Sequence, residues 1–435
     1  MMQSIKTDLR SRFPILSRIL SLSLLLWFST TAVAQQPGPQ ELLSQADEVF
    51  QQMSQITGLP IKGPLKKQVI SRPEIQKYLT QNLHEEMTPA EIHAQEALVR
   101  ALGLVPRDFN LEKFLISFYT EQAAGFYDPK RKTMFIADWI PAETQTMTLS
   151  HELTHALQDQ NWDLESFLHG AHNDDDATSA RLAVVEGSAT AAMLQQAAGG
   201  MDLGQLPAIS PLLEGLIPQQ FEEFPAFSNA PYFFRMQALF PYVQGMGFIQ
   251  AGLQLGGWTE LKELFERPPE TTKHIFEPQT YFHHQALPNI ELPHPPALEL
   301  AAGLRFLTGN AMGELGYYCL LGQLISQDEA KTLGSSWLAD RYLLYERSSG
   351  NDYTLVARTR WTSPEQAQAF FRDYHTILAN KYSDLTSSKR SSPNEFIGSA
   401  ENGVILMERN GDECAWAEGV PAAKAETMLA WLRAL

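Results

Sequence analysis

One stretch constrains this chain more than any other: Thr148-Leu149-Ser150-His151-Glu152-Leu153-Thr154-His155-Ala156-Leu157-Gln158. Apolar side chains recur at helical spacing through Met147, Leu149, Leu153, Ala156 and Leu157, with no Gly or Pro among them. That pattern predicts an α-helix with a buried face. Two histidines four apart then share a face, with Cβ atoms about 5–6 Å apart, so both imidazoles reach one ion. A zinc ion takes such nitrogens at about 2.0–2.1 Å. Glu152 is offset from His151 by one residue, which suits a base acting on a water at the metal better than a further ligand. The competing reading is two histidines making structural hydrogen bonds on a buried helix. With 11 His in the chain, the three fixed letters recur by chance on the order of 0.02 times.

A catalytic zinc takes three protein ligands and leaves one position open. An extension of the motif with Gly at 158 and His at 161 would complete the set locally, but those residues are Gln158 and Asn161. The best downstream candidate is Glu186. Asp174, Asp175 and Asp176 supply a cap and favourable charge for a helix starting near Ala177, and Gly199-Gly200 ends it. Glu186 is therefore mid-helix among Ala, Leu and Val, where a carboxylate is costly unless it is paired or metal-bound. A salt bridge to Arg181 or a distant base is the other explanation. His169, His172 and the Asp174–Asp176 run are rival ligands, in a segment that reads as a solvated turn or helix cap.

On His151-Glu152-x-x-His155 and Glu186 the chain resembles the gluzincins, the thermolysin-like zinc peptidases. Over Ala124–Pro129 and His151–Gln160 it is similar to secreted bacterial predicted metallopeptidases with A-G-F-Y-D-P ahead of H-E-L-T-H-A-L-Q-D-Q. The resemblance covers about residues 123–200. It implies a mainly helical zincin-like catalytic domain carrying a small β-hairpin or sheet; with the C-terminal α+β domain that the pattern after residue 300 predicts, the expected class is α+β. It further implies Zn2+ held by His151, His155 and Glu186, Glu152 as general base, and a peptide or protein substrate. Two departures stand out. The 30 residues between His155 and Glu186 are more than thermolysin has, and Thr190 stands where thermolysin has an Asp that orients a ligand histidine. The resemblance also puts Thr133–Ala137 beside the substrate cleft, where it would bind a peptide backbone by strand addition or serve as an ordinary core hairpin.

The start of the chain reads as an export signal. Lys6, Arg10, Arg12 and Arg18 precede an apolar run from Ile19 to Phe28, and Ala32-Val33-Ala34 precedes Gln35 as a small-x-small cleavage site. A secreted or periplasmic protein, not inserted in the membrane once the signal is cut, is the expectation. The formal charge is −17; residues 1–34 carry four bases and one acid, so the remainder carries −20. Such an acidic surface argues against nucleic-acid partners. Cys319 and Cys414 either pair, as export permits, or are two buried thiols.

The expected divisions are a signal peptide at 1–34, an N-terminal helical region at 35–110, a metallopeptidase-like domain at 111–300 and an accessory domain at 301–435. Thr88, Pro89 and Glu91 form a capping box for a helix over Pro89–Leu102. Gly125–Tyr127 and Thr133–Ala137 read as a hairpin. Tyr127, His274, Tyr281, His283 and His284 are candidate oxyanion donors. After residue 300, the order ββα then ββα predicts a small antiparallel sheet with helices on one face. The alternative function is a non-catalytic exported binding protein that keeps a zincin fold.

Overall fold

Several helices in this chain begin where a side chain offers an acceptor to the free amide groups of the first turn. A computed structural model, describing residues 22–24, 39–139, 142–171, 174–221, 224–299, 303–348 and 352–435, shows this repeatedly. Of the expected leader, only Leu22–Leu24 falls within the described residues, as a short strand, β1. Helix α1 (Pro39–Thr57) buries Ala46, Val49, Phe50 and Met53 in a cluster with Leu149, Leu153, Ala156 and Leu157. Strand β2 (Lys66–Ile70) leads into α2 (Arg72–Glu86) and α3 (Pro89–Ala101). At α3 the Thr88 hydroxyl accepts from the Glu91 amide at 3.3 Å, and the Glu91 carboxylate accepts from the Thr88 amide at 2.7 Å. A cap of this kind is worth about 1 kcal/mol.

Helix α4 (Leu111–Gln122) runs into a hairpin of β3 (Ala123–Asp128) and β4 (Thr133–Ala137), with Phe126 opposite Phe135 and their rings stacked at 4.8 Å. The sheet order is β1-β3-β4-β2, and β2 joins β4 in parallel from Lys66 opposite Thr133 to Ile70 opposite Ala137. Thr133–Ala137 is therefore an interior strand with both sides hydrogen-bonded. The expectation that it receives a peptide by strand addition is corrected: its backbone groups are already in two ladders. The cause is Lys66–Ile70, whose pairing a single-strand reading does not reveal.

Four helices build the floor of the site: α5 (Ala142–Trp162), α6 (Leu164–His169), α7 (Asp175–Ala197) and α8 (Tyr232–Glu266). Asp174 caps α7 by accepting from the Ala177 amide at 3.0 Å. Helix α8 is broken at Gly256 and Gly257, the latter at φ 62, and resumes to Glu266. Helices α7 and α8 cross glycine to glycine. A Cβ on Gly187 would lie 2.5 Å from the Gly245 carbonyl carbon, and a Cβ on Gly245 would lie 2.5 Å from the Ala183 oxygen. Both contacts are with backbone, which a side-chain rotation does not relieve. Gly187→Ala is expected to cost about 1–3 kcal/mol in urea unfolding, the usual penalty for overpacking. Gly63→Ala, with nothing within 4 Å of its Cβ position, serves as the near-neutral control.

The C-terminal portion carries β5 (Leu304–Asn310), α9 (Gly313–Leu324), α10 (Gln327–Gly334), β6 (Trp337–Arg347), β7 (Tyr353–Trp361) and α11 (Pro364–Lys381). It ends with β8 (Thr386–Ser387), β9 (Glu395–Ala400), β10 (Gly403–Asn410), β11 (Glu413–Val420) and α12 (Ala425–Leu432). The strands form one antiparallel seven-stranded sheet, ordered β5-β6-β7-β11-β10-β9-β8. Helices cover both faces, not one as expected. Alternation along β11 explains this: Cys414 and Trp416 join the cluster with Phe370 and Tyr374 of α11, while Ala415 and Ala417 join Met428, Leu429 and Leu432 of α12. Cys319 and Cys414 are both free and buried, and the Cys414 thiol donates to the Ala367 carbonyl at 3.3 Å.

One continuous cluster of buried side chains runs from Ile70 to Trp416 and joins the helical layer to the sheet. Polar contacts fix the same junction. Asp340 on β6 accepts from the Met312 and Gly313 amides at 2.8 and 3.0 Å, capping α9. Arg341 pairs with Asp174 at 3.3 Å. Burial pushes the Asp340 carboxyl up to about 7, although the two amides pull the other way. Native Asp340 thus keeps a proton that the unfolded chain releases near pH 4. The wild-type protein should lose stability from this group as pH rises from about 4 to 7. Melting temperatures of Asp340→Asn across that window should lack this falling component.

Candidate metal centre

Helices α5 and α7 pack side by side and bring three distant residues to one point. His151 Nε2 lies 3.0 Å, and His155 Nε2 3.4 Å, from the same Oε2 of Glu186. The two imidazole rings stand at 82° with centroids 4.7 Å apart. One ligand atom from each residue lies within 4.8 Å of the others, so the three form a group able to hold a metal ion. Bonds of about 2.0–2.1 Å in a tetrahedron separate ligand atoms by roughly 3.3–3.4 Å, close to the two carboxylate–imidazole distances. The site is deeply enclosed: His151 is 3% exposed, His155 1%, Glu186 1% and Glu152 0%.

Hydrogen-bond bookkeeping tests the fit independently. Among the described residues, His155 Nε2, Glu186 Oε1 and Glu152 Oε1 are buried without a hydrogen-bond partner. A buried polar atom left unsatisfied costs about 1–3 kcal/mol. Three such atoms in one place, on two prospective ligands and their neighbour, are what a cation and a water would satisfy.

The charges in the metal-free site interlock. Burial opposes ionisation of Glu186, yet the His155 charge, 3.4 Å away, and the hydrogen bond with His151 hold its carboxyl down to about 2. Burial alone would lower His155, but Glu186 and then Glu152 and Gln158 raise it to about 9. His151 is lowered, mainly by burial, with the His155 charge adding to that. Burial pushes Glu152 up to about 8, against the pull of His155 and of a backbone hydrogen bond. A metal ion needs neutral imidazoles, so binding displaces the His155 proton.

Several polar residues of the motif helix have defined partners. Glu152 Oε2 accepts from the Tyr127 amide of β3 at 2.6 Å, while Oε1 is buried without a hydrogen-bond partner. His155 Nδ1 lies 2.8 Å from Gln158 Oε1. Asp159 accepts from the Tyr127 hydroxyl at 2.7 Å and from Lys132 at 2.8 Å. Gln160 accepts from the Lys62 amide at 2.7 Å. The ring of Tyr242 on α8 stacks near His151, with centroids 6.0 Å apart. Sequence reading missed Tyr127 as an amide donor and Gln158 as a partner of His155. The signal available for Gln158 was its position, three residues after His155 on the same helix face.

The rival ligands lie elsewhere. His169 pairs with Glu86 at 3.3 Å. His172 lies outside the described residues. Asp174 is the α7 cap, and Asp176 is not solvated: it is 5% exposed and accepts from the Thr272 amide at 2.8 Å and from its hydroxyl. Arg181 does not pair with Glu186; it donates to the Phe167 and Gly170 carbonyls. Of the oxyanion candidates, Tyr127 gives its hydroxyl to Asp159. His274 packs edge-on to Tyr281, which donates to the Arg267 carbonyl. His283 and His284 follow at the end of a short helix, Pro278–Phe282. No bond joins any of these side chains to the centre among the described residues.

A cavity of about 50 Å³ reaches His155 and Glu186, bounded by Tyr78, Asn82, Lys130 and Leu182. Over it, Glu86 bridges Lys130 of the hairpin turn to His169 of α6. The chain is similar over residues 305–429 to a family described as a domain of unknown function, DUF8575. That stretch is the C-terminal sheet and its helices, and it contains none of His151, Glu152, His155 or Glu186. No curated protein and no solved structure matches the chain.

Proposed function

We propose that the protein is an exported zinc-dependent peptidase, with His151, His155 and Glu186 as the metal ligands and Glu152 as the general base. One observation carries this reading. Glu152 is held beside the ligand cluster by a single hydrogen bond from a backbone amide to Oε2, while its Oε1 is buried and unpartnered. A purely structural site gains nothing from such a carboxylate. Two histidines and one carboxylate, with a position to spare, are the donor set of catalytic zinc. Zinc held there would supply Lewis acidity, making a water acidic and a carbonyl electrophilic at neutral pH.

The residues of the chain supply the rest. Glu152 takes a proton through Oε1 from the attacking water and passes it to the leaving amine. Tyr127 keeps the Glu152 carboxylate in place through its amide. His151, His155 and Glu186 compensate each other's charge in an enclosure from which bulk water is largely excluded. The predicted leader, whose cleavage site lies outside the described residues, puts this chemistry in the secreted or periplasmic space.

One observation favours the alternative of a non-catalytic exported protein. A cavity of about 50 Å³ accepts water but not a peptide. Elemental analysis of the protein purified from the exported fraction tests the zinc reading: about one zinc per chain is expected. Absence of metal in a protein that also fails to take up added zinc would contradict the peptidase reading and leave the non-catalytic one. Mass spectrometry of the same sample should find the N-terminus at or near Gln35; an intact Met1 on a membrane-bound product would contradict export by cleavage.

A further inference from the structure

Gln158 spans the two helices that carry the prospective ligands. Its Nε2 donates to the Val185 carbonyl at 3.1 Å and to Ser188 Oγ at 2.7 Å, both on α7. Its Oε1 faces His155 Nδ1 at 2.8 Å on α5. The partners decide which end of the amide is which. A carbonyl only accepts, so Val185 requires the NH2 end. Ser188 Oγ lies 2.6 Å from the Val184 carbonyl and spends its proton there, which leaves a lone pair for Gln158. The end facing His155 is therefore the carbonyl oxygen, also an acceptor only. The Nδ1 it faces must carry hydrogen. A neutral imidazole with hydrogen on Nδ1 has its lone pair on Nε2, the atom 3.4 Å from Glu186 Oε2.

We infer that Gln158 is a positioning residue of the metal centre: it fixes His155 as an Nε2 ligand and ties α5 to α7 at the level of the ligands. The inference rests on the zinc reading above and deepens it. Gln158 is 1% exposed, so bulk water does not compete for its bonds. Thr190, one turn beyond Glu186, does not orient either histidine, since its Oγ1 is buried and without a hydrogen-bond partner among the described residues. A partner that orients a ligand histidine is commonly worth 10–100-fold in metal affinity. Here the orienting group is a neutral amide on the motif helix itself.

Two kinds of variant separate orienting His155 from merely linking helices. Zinc affinity is measured by chelator competition, and the absorption of the cobalt-substituted protein reports the ligand geometry. Gln158→Met should weaken zinc by about 10–100-fold and shift the cobalt spectrum. Gln158→Asn, too short to reach Nδ1, should do the same and guards against misfolding of the Met variant. Gln158→Glu keeps an acceptor toward Nδ1 and should recover most of the loss. Ser188→Ala removes one end of the link without touching His155; it should lower the melting temperature but leave affinity and spectrum as in wild type. Wild-type affinity and spectrum in folded Gln158→Met or Gln158→Asn would overturn the inference. So would a loss in Ser188→Ala as large as in Gln158→Met. A wild-type protein that takes up no zinc would instead bring down the zinc reading, and this inference with it.

Discussion

Glu152→Gln is expected to leave zinc bound and remove most of the hydrolysis. Glutamine has the shape of glutamate, and its Oε1 can still accept the Tyr127 amide bond that now holds Glu152 Oε2. None of the three prospective ligands is altered, so metal content should stay near one per chain. What disappears is the ability to accept a proton. A positioned general base contributes about 10²–10⁴ in rate, and kcat should fall by that amount or more. KM should change little, because the amide keeps the carboxylate's volume. The substitution should also raise apo stability slightly, since burial disfavours the charge on Glu152. A variant that loses zinc along with activity would mean that Glu152 is a ligand.

Glu186→Ala should strip the metal. The carboxylate is the element that both imidazoles share, at 3.0 and 3.4 Å. Without it two ligands remain, and the affinity loss should exceed the roughly 10–100-fold that a merely orienting partner is worth. The metal-free protein should suffer as well, because the charge that raises His155 goes with the carboxylate. His155 should then titrate below its present value, a shift visible by NMR of the ring protons. The control replaces Asp174, Asp175 and Asp176 together by Ala. Zinc content should persist, but the melting temperature should drop by more than a lost cap explains, because Asp176 anchors the Thr272 turn. Loss of zinc in the triple variant with retention in Glu186→Ala would move the site to the α7 cap.

Much of the centre is legible in the sequence because it depends on local periodicity. The four-residue spacing of His151 and His155 fixes a shared helix face whatever the tertiary fold. Glu186 is legible from an energetic conflict, a carboxylate in a run of Ala, Leu and Val that its own helix cannot satisfy. Caps at Thr88, Asp174, Ser326 and Ser363 are readable because side chain and amide are close in sequence. What escapes depends on pairings across long separations. Lys66–Ile70 gives no sign that it will occupy the edge of Thr133–Ala137. Strands Leu304–Asn310 and Glu395–Ala400 acquire their identity from neighbours on the sheet. The covering of both sheet faces follows from Ala415 and Ala417, small residues that admit α12 but carry no strong pattern alone. The bridge beside the small cavity at His155 and Glu186 is invisible too, since Glu86, Lys130 and His169 meet there from three different elements.

The central claim, that this buried cluster is a zinc site that cuts peptides, is tested most directly by one assay. The mature protein is incubated with an unbiased peptide library, before and after removal of metal by a chelator, and after zinc is restored. New peptide ends that vanish on chelation and return with zinc are the predicted result. Cleavage that survives chelation, or a fully zinc-loaded protein that cuts no member of the library, would contradict it.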